Sequence, residues 1–519
     1  MTRSRRSRFA PNVSISFQCT IVYARLSPVV SLLFPRGRLL PPGRSPDLTQ
    51  LSLLGAAEAL RLKKASSVEL TKACLERIAQ FDRGLNSFIT VTGEVALQAA
   101  RKADTERAAG RARGLLHGIP IALKDNIDTK GIRTTAASAL FADRVRTEDA
   151  EVWRRLQAEG AVLLGKLNLH GFAAGGTSAV TFFGPVRNPY SVDRNCGGSF
   201  GGSAVATAAD FAYGTLGTDT GGSIRTPASY CGVVGFKPTY GRASIRGIIP
   251  LVWSLDHVGP LTKTVADAAV VLQAIAGYDE FDVDCVDRPV PEFTKAIGAP
   301  VKTFRLGVPR ASFFDKLDPE VAAATEAALN VLSKLTAGYH DSILPAESYG
   351  PSAGGAETAA YHLPYYPKSQ ASYMPSTRKG LSRSAAMPAT TYVESMRAVR
   401  LLRRQVVKAF DSVDLLITPT TKFKPYPITE AIQRVETDKP LPPTLANTAQ
   451  FNIFGLPAIS IPCGQFADGV PIGLQITGAP WAEVKVLALA HAYEQATEWH
   501  KRRPALDASL NPFKVKTVL

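Results

Sequence analysis

The sequence predicts an α/β protein, because apolar segments with the length of buried strands alternate with segments of helical periodicity. An apolar run from Ile119 to Leu123 is followed by a helical segment at 148–159 and by a second apolar run at 161–168. The chain has 519 residues, of which 45% are hydrophobic and 20% charged, so it can bury a large core.

The region before the first strand is predicted to be helical. Apolar residues recur at helical spacing between Leu48 and Phe81, and Ser66 with Glu69 has the pattern of a capping box at the start of a second helix. Residues 93–108 are rich in alanine and mixed charges, which predicts a third helix. We expect these helices to pack on the strands and to carry no function of their own.

Two irregular regions interrupt the second half of the chain. Residues 286–310 and 340–390 are rich in Pro, Gly, Ser and Tyr, whereas 391–410 is helical in pattern and 451–478 contains two apolar, strand-like segments. The tyrosines of 340–390 are typical either of a cover over a pocket or of an ordinary long insertion. The sequence leaves both interpretations open.

Positive charge is concentrated at the N-terminus. The formal net charge is +16, and residues 1–46 contain eight arginines and no acid. We expect 1–46 to be a disordered basic leader, either an organellar targeting segment or the product of a misassigned start. The remaining charge is spread over the body without an aromatic-basic motif, which does not favour nucleic-acid binding. The apolar segment of this leader is too short to span a membrane.

The six cysteines are scattered and form no CxxC pair. No histidine stands near them at the spacing of a metal site, so the sequence predicts neither bound metal nor a disulfide framework, and it indicates no cofactor. We expect a reducing compartment and therefore a cytoplasmic protein, with organellar import through the leader left open.

One segment superficially matches a phosphate-binding loop. Gly160, Gly165 and Lys166 have the spacing of that motif, but the residues between the glycines are apolar, and Leu167 stands where Ser or Thr is required. Such a segment lacks both the open glycine-rich loop and the metal-binding hydroxyl. We therefore do not expect a nucleotide site there.

Gly-Gly-Ser occurs three times, at 197–199, 201–203 and 221–223. Residues 197–201 match the G-x-S-x-G pattern of Ser-His-Asp hydrolases, which makes Ser199 a nucleophile candidate. That motif requires a strand directly before the serine, whereas the preceding segment is polar and rich in turn residues. No histidine is singled out as its base, so this stays a minor alternative.

Lys124 is the candidate for a base other than histidine. It follows the first apolar strand, and burial at such a position can lower a lysine pKa enough to leave the amine neutral. A neutral lysine can accept a proton from a serine hydroxyl. The alternative is a surface lysine paired with Asp125 or Asp128.

Three segments taken together resemble the amidase signature family: "GIPIALKDN", "GGSFGGSA" and "GTDTGGSIRTPASYCGVVGFKPT". The resemblance covers roughly residues 48–500. It implies one domain over 47–515, with 340–390 as a variable region that covers the substrate. The implied fold is a single large α/β/α domain, in which helices cover both faces of a central mixed, mostly parallel twisted sheet.

The resemblance also implies a site without a metal. Lys124 would be the base, Ser199 the bridging serine on a cis peptide bond, and Ser223 the nucleophile, with backbone N–H groups holding the anionic intermediate. The implied residues are, as catalytic, Lys124, Ser199 and Ser223; as oxyanion donors, Thr220, Gly221, Gly222 and Ser223; as supports, Asp219, Arg225 and Gly198; and as substrate contacts, Thr177, Ser178 and Phe200. Phe200 departs from the family, which commonly has a second serine there.

The implied reaction is hydrolysis of a small-molecule carboxylic amide to an acid plus ammonia or an amine. A stand-alone amidase is favoured here, with a homodimer left open, because 169–172 and 441–452 lack acidic residues expected of the alternative. That alternative is the glutaminase (A) subunit of a tRNA-dependent amidotransferase, which works beside partner chains. A third hypothesis is a basic binding protein without catalysis.

Overall fold

The computed structural model describes residues 47–345, 353–437, 439 and 443–507. The predicted basic leader at 1–46 and the last residues of the predicted domain, 508–515, lie outside the described residues. No helix in the described ranges is both long and apolar enough to cross a membrane.

Eleven strands among the described residues form one sheet. In chain order they are β1 (Phe88–Val91), β2 (Pro120–Lys124), β3 (Val162–Leu167), β4 (Gly214–Asp219), β5 (Val234–Lys237), β6 (His257–Thr262), β7 (Leu306–Val308), β8 (Tyr339–Asp341), β9 (Leu415–Pro419), β10 (Ala458–Gln465) and β11 (Pro471–Gly478). Their spatial order is β1-β3-β2-β4-β6-β5-β10-β11-β9-β7-β8.

The sheet is mixed, as expected, but the expectation of a mostly parallel sheet is wrong. Parallel pairs join β2 to β3 and to β4, and join β7 to β8 and to β9. The other six described pairs are antiparallel. One physical reason is the short turn at 466–470 between β10 and β11, since a connection of that length can only reverse the chain.

The α-helices of the described chain are α1 (Leu53–Arg61), α2 (Ser67–Leu85), α3 (Gly93–Ala108), α4 (Glu151–Ala158), α5 (Gly201–Ala208), α6 (Arg225–Cys231), α7 (Val265–Ile275), α8 (Arg310–Phe313), α9 (Pro319–Leu335), α10 (Ala353–His362), α11 (Pro375–Ala385), α12 (Ala389–Gln405), α13 (Ile428–Glu436), α14 (Ala449–Ile453) and α15 (Glu483–Ala496). Every residue of β2 to β6 is buried. Because successive side chains of a strand point to opposite faces, both faces of this part of the sheet are covered.

Local sequence signals set several helix boundaries. Ser66 accepts the N–H of Glu69 while the Glu69 side chain accepts the N–H of Ser66, which is the predicted capping box of α2. The segment predicted as a helix at 391–410 is helical to Gln405 and ends in a 3-10 turn at Val406–Phe410. The helix that follows the second Gly-Gly-Ser begins at its first glycine, Gly201.

The segment that resembles a phosphate loop is part of the sheet. Gly165 lies in β3, where a Cβ would overlap the carbonyl oxygen of Thr90 on β1. The Nζ of Lys166 is buried, donates to Thr134 Oγ1 at 2.7 Å and lies 3.5 Å from Asp125 Oδ1. Gly165 and Lys166 therefore serve strand packing and a buried ion pair.

Candidate active site

The predicted catalytic residues meet at one edge of the sheet. Lys124 is the last residue of β2, and Ser223 follows the end of β4 by four positions. Since β2 and β4 are parallel neighbours, their carboxyl ends lie side by side. Ser199 enters from the loop before α5, and the Gly198–Ser199 peptide bond is cis.

Three side chains form a continuous hydrogen-bonded chain. Ser199 Oγ lies 2.9 Å from Lys124 Nζ and 3.1 Å from Ser223 Oγ. The hydroxyl groups can rotate, so each serine can donate toward the lysine when the amine is neutral. The arrangement can therefore move a proton from Ser223 to Lys124 through Ser199.

Lys124 has the environment that a lysine base requires. Complete burial lowers the pKa of Lys124 to about 7, although the negative charges of Asp256 and Asp219 oppose that shift. The Nζ also donates to Thr218 Oγ1 at 2.7 Å, and Asn126 Nδ2 donates to the same oxygen at 3.2 Å. Thr218 thus fixes the direction of the amine, which leaves its lone pair free for Ser199.

The loop that carries Ser199 is held by its backbone. The carbonyl oxygen of Ser199 accepts the N–H of His170 at 3.1 Å and the hydroxyl of Ser178 at 3.2 Å. A Cβ on Gly198 would lie 2.7 Å from the backbone nitrogen of Thr177, a separation that real Cβ atoms do not show. Gly198 therefore allows two backbone segments to approach closely.

The loop at 219–225 presents backbone N–H groups beside Ser223. Within the described chain, the N–H groups of Thr220, Gly221 and Ser223 have no protein acceptor. Gly222 is different, because its N–H donates to Asp219 Oδ1 at 2.7 Å. The prediction that Gly222 is an oxyanion donor is wrong for this arrangement, since its proton is already used within the loop.

A buried ion pair holds the 219–225 loop, as expected of Asp219 and Arg225. Arg225 donates through Nε and Nη2 to the Asp219 carboxylate at 3.1 and 2.9 Å. Its other N–H groups reach Thr448 O at 3.0 Å, Gln475 Oε1 at 2.8 Å and Asn452 Oδ1 at 2.6 Å. All five guanidinium protons are therefore satisfied.

The charge of Asp219 is stabilised inside the protein. Burial alone would raise the pKa of Asp219, but the charge and hydrogen bonds of Arg225 hold it well below the usual value. The ionised carboxylate accepts the N–H of Gly222 and that of Ile224, at 2.7 and 3.1 Å. Asp219 therefore fixes the loop on both sides of Ser223.

Phe200 does not contact substrate as predicted. Its side chain is fully buried, and its ring packs over Gly217 of β4 and 5.5 Å from Lys124 Nζ. It belongs to the main core cluster and lies behind the site. The prediction is corrected because a ring without accessible surface cannot touch a ligand.

The side chains of Thr177 and Ser178 are also buried and are used within the protein. Thr177 Oγ1 lies 3.3 Å from His170 Nδ1, and Ser178 Oγ accepts the N–H of Gly201 at 3.1 Å. Both residues therefore support the Ser199 loop, and their predicted contact with substrate does not fit these side-chain positions.

Part of the variable region packs against this support. Phe172, two residues after His170, stacks on Tyr373 with ring centroids 5.3 Å apart and meets His362 edge-on at 4.5 Å. The Tyr373 hydroxyl lies 3.1 Å from His362 Nδ1. His362 and Tyr373 of the variable region therefore pack on the segment that carries His170, and the role of 340–390 as a cover or an ordinary long insertion stays a prediction.

The structure does not supply a histidine for the G-x-S-x-G alternative. Within the part of the chain described, the side-chain partners of Ser199 Oγ are Lys124 and Ser223. His257 instead directs Nδ1 to the carbonyl oxygen of Leu255 at 2.6 Å. No group of three or more His, Cys, Asp or Glu side chains among the described residues could hold a metal ion.

Four residues of the site are not predicted by the sequence patterns: Thr218, Asp256, Asn452 and Gln475. Asn452 and Gln475 stand 227 and 250 positions from Arg225, and no local spacing links such distant residues. Thr218 had a usable signal, because it lies in the quoted glycine-rich motif one position before Asp219, within the strand β4 that neighbours β2.

The chain is similar to known proteins along most of its length. The Amidase family model matches residues 69–487. The A-subunit of the glutamyl-tRNA(Gln) amidotransferase from Moorella thermoacetica is 40% identical over 489 residues, which cover 89% of this chain and 99% of that protein.

Two solved structures have the same fold. The A-subunit of glutamyl-tRNA(Gln) amidotransferase from Thermotoga maritima superposes with a TM-score of 0.75 at 30% identity, covering 90% of this chain and 99% of that chain. The peptide amidase of Stenotrophomonas maltophilia superposes with a TM-score of 0.76 at 31% identity, and the match covers 88% of this chain and 98% of that chain. The chain therefore belongs to the amidase family and is an amide-hydrolysing enzyme.

Proposed function

We propose that the chain hydrolyses a carboxylic amide through an acyl-enzyme on Ser223. The observation that carries this proposal is the unbroken chain from Ser223 Oγ through Ser199 Oγ to Lys124 Nζ, with links of 3.1 and 2.9 Å. A serine hydroxyl is a weak nucleophile unless a base takes its proton. Lys124, with a pKa lowered to about 7 by burial, is a suitable base near neutral pH.

One proton moves forward and back along the relay in each half of the reaction. Ser223 Oγ attacks the amide carbon while its proton passes to Ser199 and the Ser199 proton passes to Lys124. The C–N bond then breaks, and the leaving nitrogen takes a proton back along the same path. Water attacks the ester by the same relay, which releases the carboxylic acid and restores the Ser223 hydroxyl.

The backbone beside Ser223 would stabilise the charged intermediate. Attack places a negative charge on the former carbonyl oxygen, and fixed N–H donors lower the energy of that state. Thr220, Gly221 and Ser223 have N–H groups without protein acceptors in the described ranges, and Asp219 holds the loop that carries them. We assign the oxyanion role to these three residues.

For the substrate, the relatives favour glutamine and a multi-subunit setting. Several curated relatives matched over 98% or more of their length are A-subunits of glutamyl-tRNA(Gln) amidotransferases. We therefore propose first that the chain is a glutaminase subunit that supplies ammonia beside partner chains, which is the alternative that the sequence leaves open.

A stand-alone amidase is the second candidate, and a specific contact favours it. A Cβ on Gly221 would lie 3.6 Å from Leu445 Cδ1, so an aliphatic side chain lies next to the 219–225 loop. Leu445 is partly exposed. Such a surface suits the apolar acyl group of a small amide better than the charged end of glutamine. In either case the substrate is a small-molecule amide, and the cytoplasmic location stays a prediction.

One set of assays separates the candidates. The purified full chain is given glutamine, a simple aliphatic amide and an aryl amide, and ammonia is measured, with Ser223→Ala as the blank. Hydrolysis of simple amides by the chain alone supports the second candidate. Glutamine hydrolysis that needs partner chains and charged tRNA supports the first. Activity that survives Ser223→Ala contradicts the nucleophile assignment.

A further inference from the structure

Asp256 is a buried carboxylate beside the site that the proposed relay does not use. It stands directly before β6 and is 4% exposed. Its Oδ1 accepts the hydroxyl proton of Thr220, and its Oδ2 accepts the N–H groups of Leu251 and Val252 at 2.9 and 3.2 Å. The carboxylate therefore links the first residue of the loop after β4 to the turn before β6.

Strand register explains why these residues meet. β4 and β6 are antiparallel, and Asp219 on β4 is opposite His257 on β6. The next pair outward joins Thr220 to Asp256, because the two chains run in opposite directions. The backbone N–H of Thr220 is one of the free groups assigned to the substrate oxygen. Because Asp256 holds the Thr220 side chain in place, it also helps to hold the backbone of Thr220 and the direction of that N–H.

Asp256 also acts on Lys124 through its charge. Its negative charge raises the pKa of Lys124, against the dominant effect of burial. The positive charge of Lys124 in turn lowers the pKa of Asp256. Burial raises the pKa of Asp256 to about 6, against three hydrogen bonds that favour its ionised form. The hydrogen bonds of Thr220, Leu251 and Val252 therefore favour a charged carboxylate at this position.

We propose that Asp256 is a positioning residue with two effects on hydrolysis: it holds Thr220 in the 219–225 loop, and its carboxylate acts on Lys124, whose amine binds Thr218 two positions before Thr220. This inference rests on the proposed function, because it assigns Asp256 to the same relay. Other ionisable groups around the site keep their own partners. They are Asp219 with Arg225 on the β4 side, Lys237 at the end of β5, His257 on β6 and His170 after β3.

Asp256→Asn removes the charge with little change in shape. An asparagine can direct its oxygen to the N–H groups of Leu251 and Val252 and its NH₂ to the Thr220 oxygen, so the contact is kept with its donor reversed and only the Thr220 hydroxyl proton loses its acceptor. The acid limb of the kcat/KM profile reports the pKa of Lys124. Loss of the negative charge should lower that pKa and move the limb to lower pH by about one unit, since a nearby opposite charge typically shifts a pKa by 1–3 units. The measurement is ammonia release by the full chain between pH 5 and 9.

Thr220→Val and Thr220→Ser test separately whether hydrolysis needs the hydrogen bond between Thr220 and Asp256. Valine has the shape of threonine without the hydroxyl, so we expect kcat to fall about tenfold or more, whereas serine keeps the hydrogen bond and should restore most of the rate. Asp82→Asn is the matched control, because Asp82 is a buried carboxyl that accepts from Ser87 and Phe88 and serves β1. It should leave the shape of the pH profile unchanged.

The outcomes are distinct. An Asp256→Asn profile that superimposes on wild type, or equal rates for the Val and Ser variants of Thr220, overturns the inference. If Asp256→Asn does not fold, the two Thr220 variants still test the role of the hydrogen bond between Thr220 and Asp256. A wild-type chain whose activity does not depend on Ser223 overturns the proposed function instead, and that result is obtained before any variant of Asp256 is made.

Discussion

Phe200 and Gly217 fit each other beneath the site. A Cβ on Gly217 would overlap the ring of Phe200, whose side chain is fully buried. The absence of a side chain on this residue of β4 creates the space that the ring fills. Phe200 is the departure from the family pattern that the sequence could not explain, and the structure accounts for it as packing behind the relay.

Phe200→Ala should therefore destabilise the protein. Truncation of a fully buried phenylalanine costs about 3–5 kcal/mol, because it removes packing and leaves a cavity. Phe200→Leu keeps more of the volume and should cost less. Urea unfolding measures both, and an unchanged free energy of unfolding for Phe200→Ala would show that the ring is not packed as described.

Adjacent glycines of the 219–225 loop should differ in their tolerance of alanine. Gly222 has φ +129°, and a Cβ there would overlap Thr448 Oγ1, whereas a Cβ on Gly221 meets Leu445 at 3.6 Å. We expect Gly222→Ala to lose about 1–3 kcal/mol and Gly221→Ala to change little. Thermal unfolding of the two variants checks this, and equal losses would count against the loop geometry.

The buried pair of Arg225 and Asp219 should be far more sensitive than a surface pair. Arg225→Met leaves Asp219 charged and buried, which costs about 3–5 kcal/mol. Lysine cannot replace five directed N–H donors, so Arg225→Lys should also destabilise. Lys501 and Glu498 are 60% and 81% exposed, and Lys501→Met should cost less than about 1 kcal/mol. Chemical denaturation compares the three variants.

Activity should rise with pH through about 7. Burial lowers the pKa of Lys124 to about 7, and only the neutral amine can accept the proton of Ser199, so the active form grows as pH increases past that value. Below it, kcat/KM should fall about tenfold for each pH unit. A profile of ammonia release that stays flat down to pH 5 would contradict a lysine base. Lys124→Arg, which stays protonated, should be inactive at every pH.

The sequence predicted which residues meet at the site better than it predicted their surroundings. Lys124 was found because an apolar strand ending in lysine has a local pattern, and Ser199 and Ser223 lie in motifs within one short stretch. Asn452 and Gln475 could not be found in this way, because the sheet brings them to Arg225 from a distant part of the chain. Long-range contacts of this kind leave no spacing signal in a single sequence.

The fold class was predictable, whereas strand directions were not. Apolar strands alternating with helices indicate an α/β sheet, but β5, β6, β10 and β11 carry the same apolar pattern whichever way they run. Residues such as Thr177 and Phe200 were misplaced for a related reason. Proximity in sequence to a catalytic residue does not tell whether a side chain points toward the substrate or into the core.

Identifying the serine that becomes acylated is the most direct test of the proposed nucleophile. The full chain is treated with a fluorophosphonate, digested and analysed by peptide mass spectrometry, with Ser223→Ala and Ser199→Ala as controls. We expect an adduct on Ser223 that is lost in Ser223→Ala. An adduct on Ser199 that persists in Ser223→Ala would contradict the assignment of Ser223.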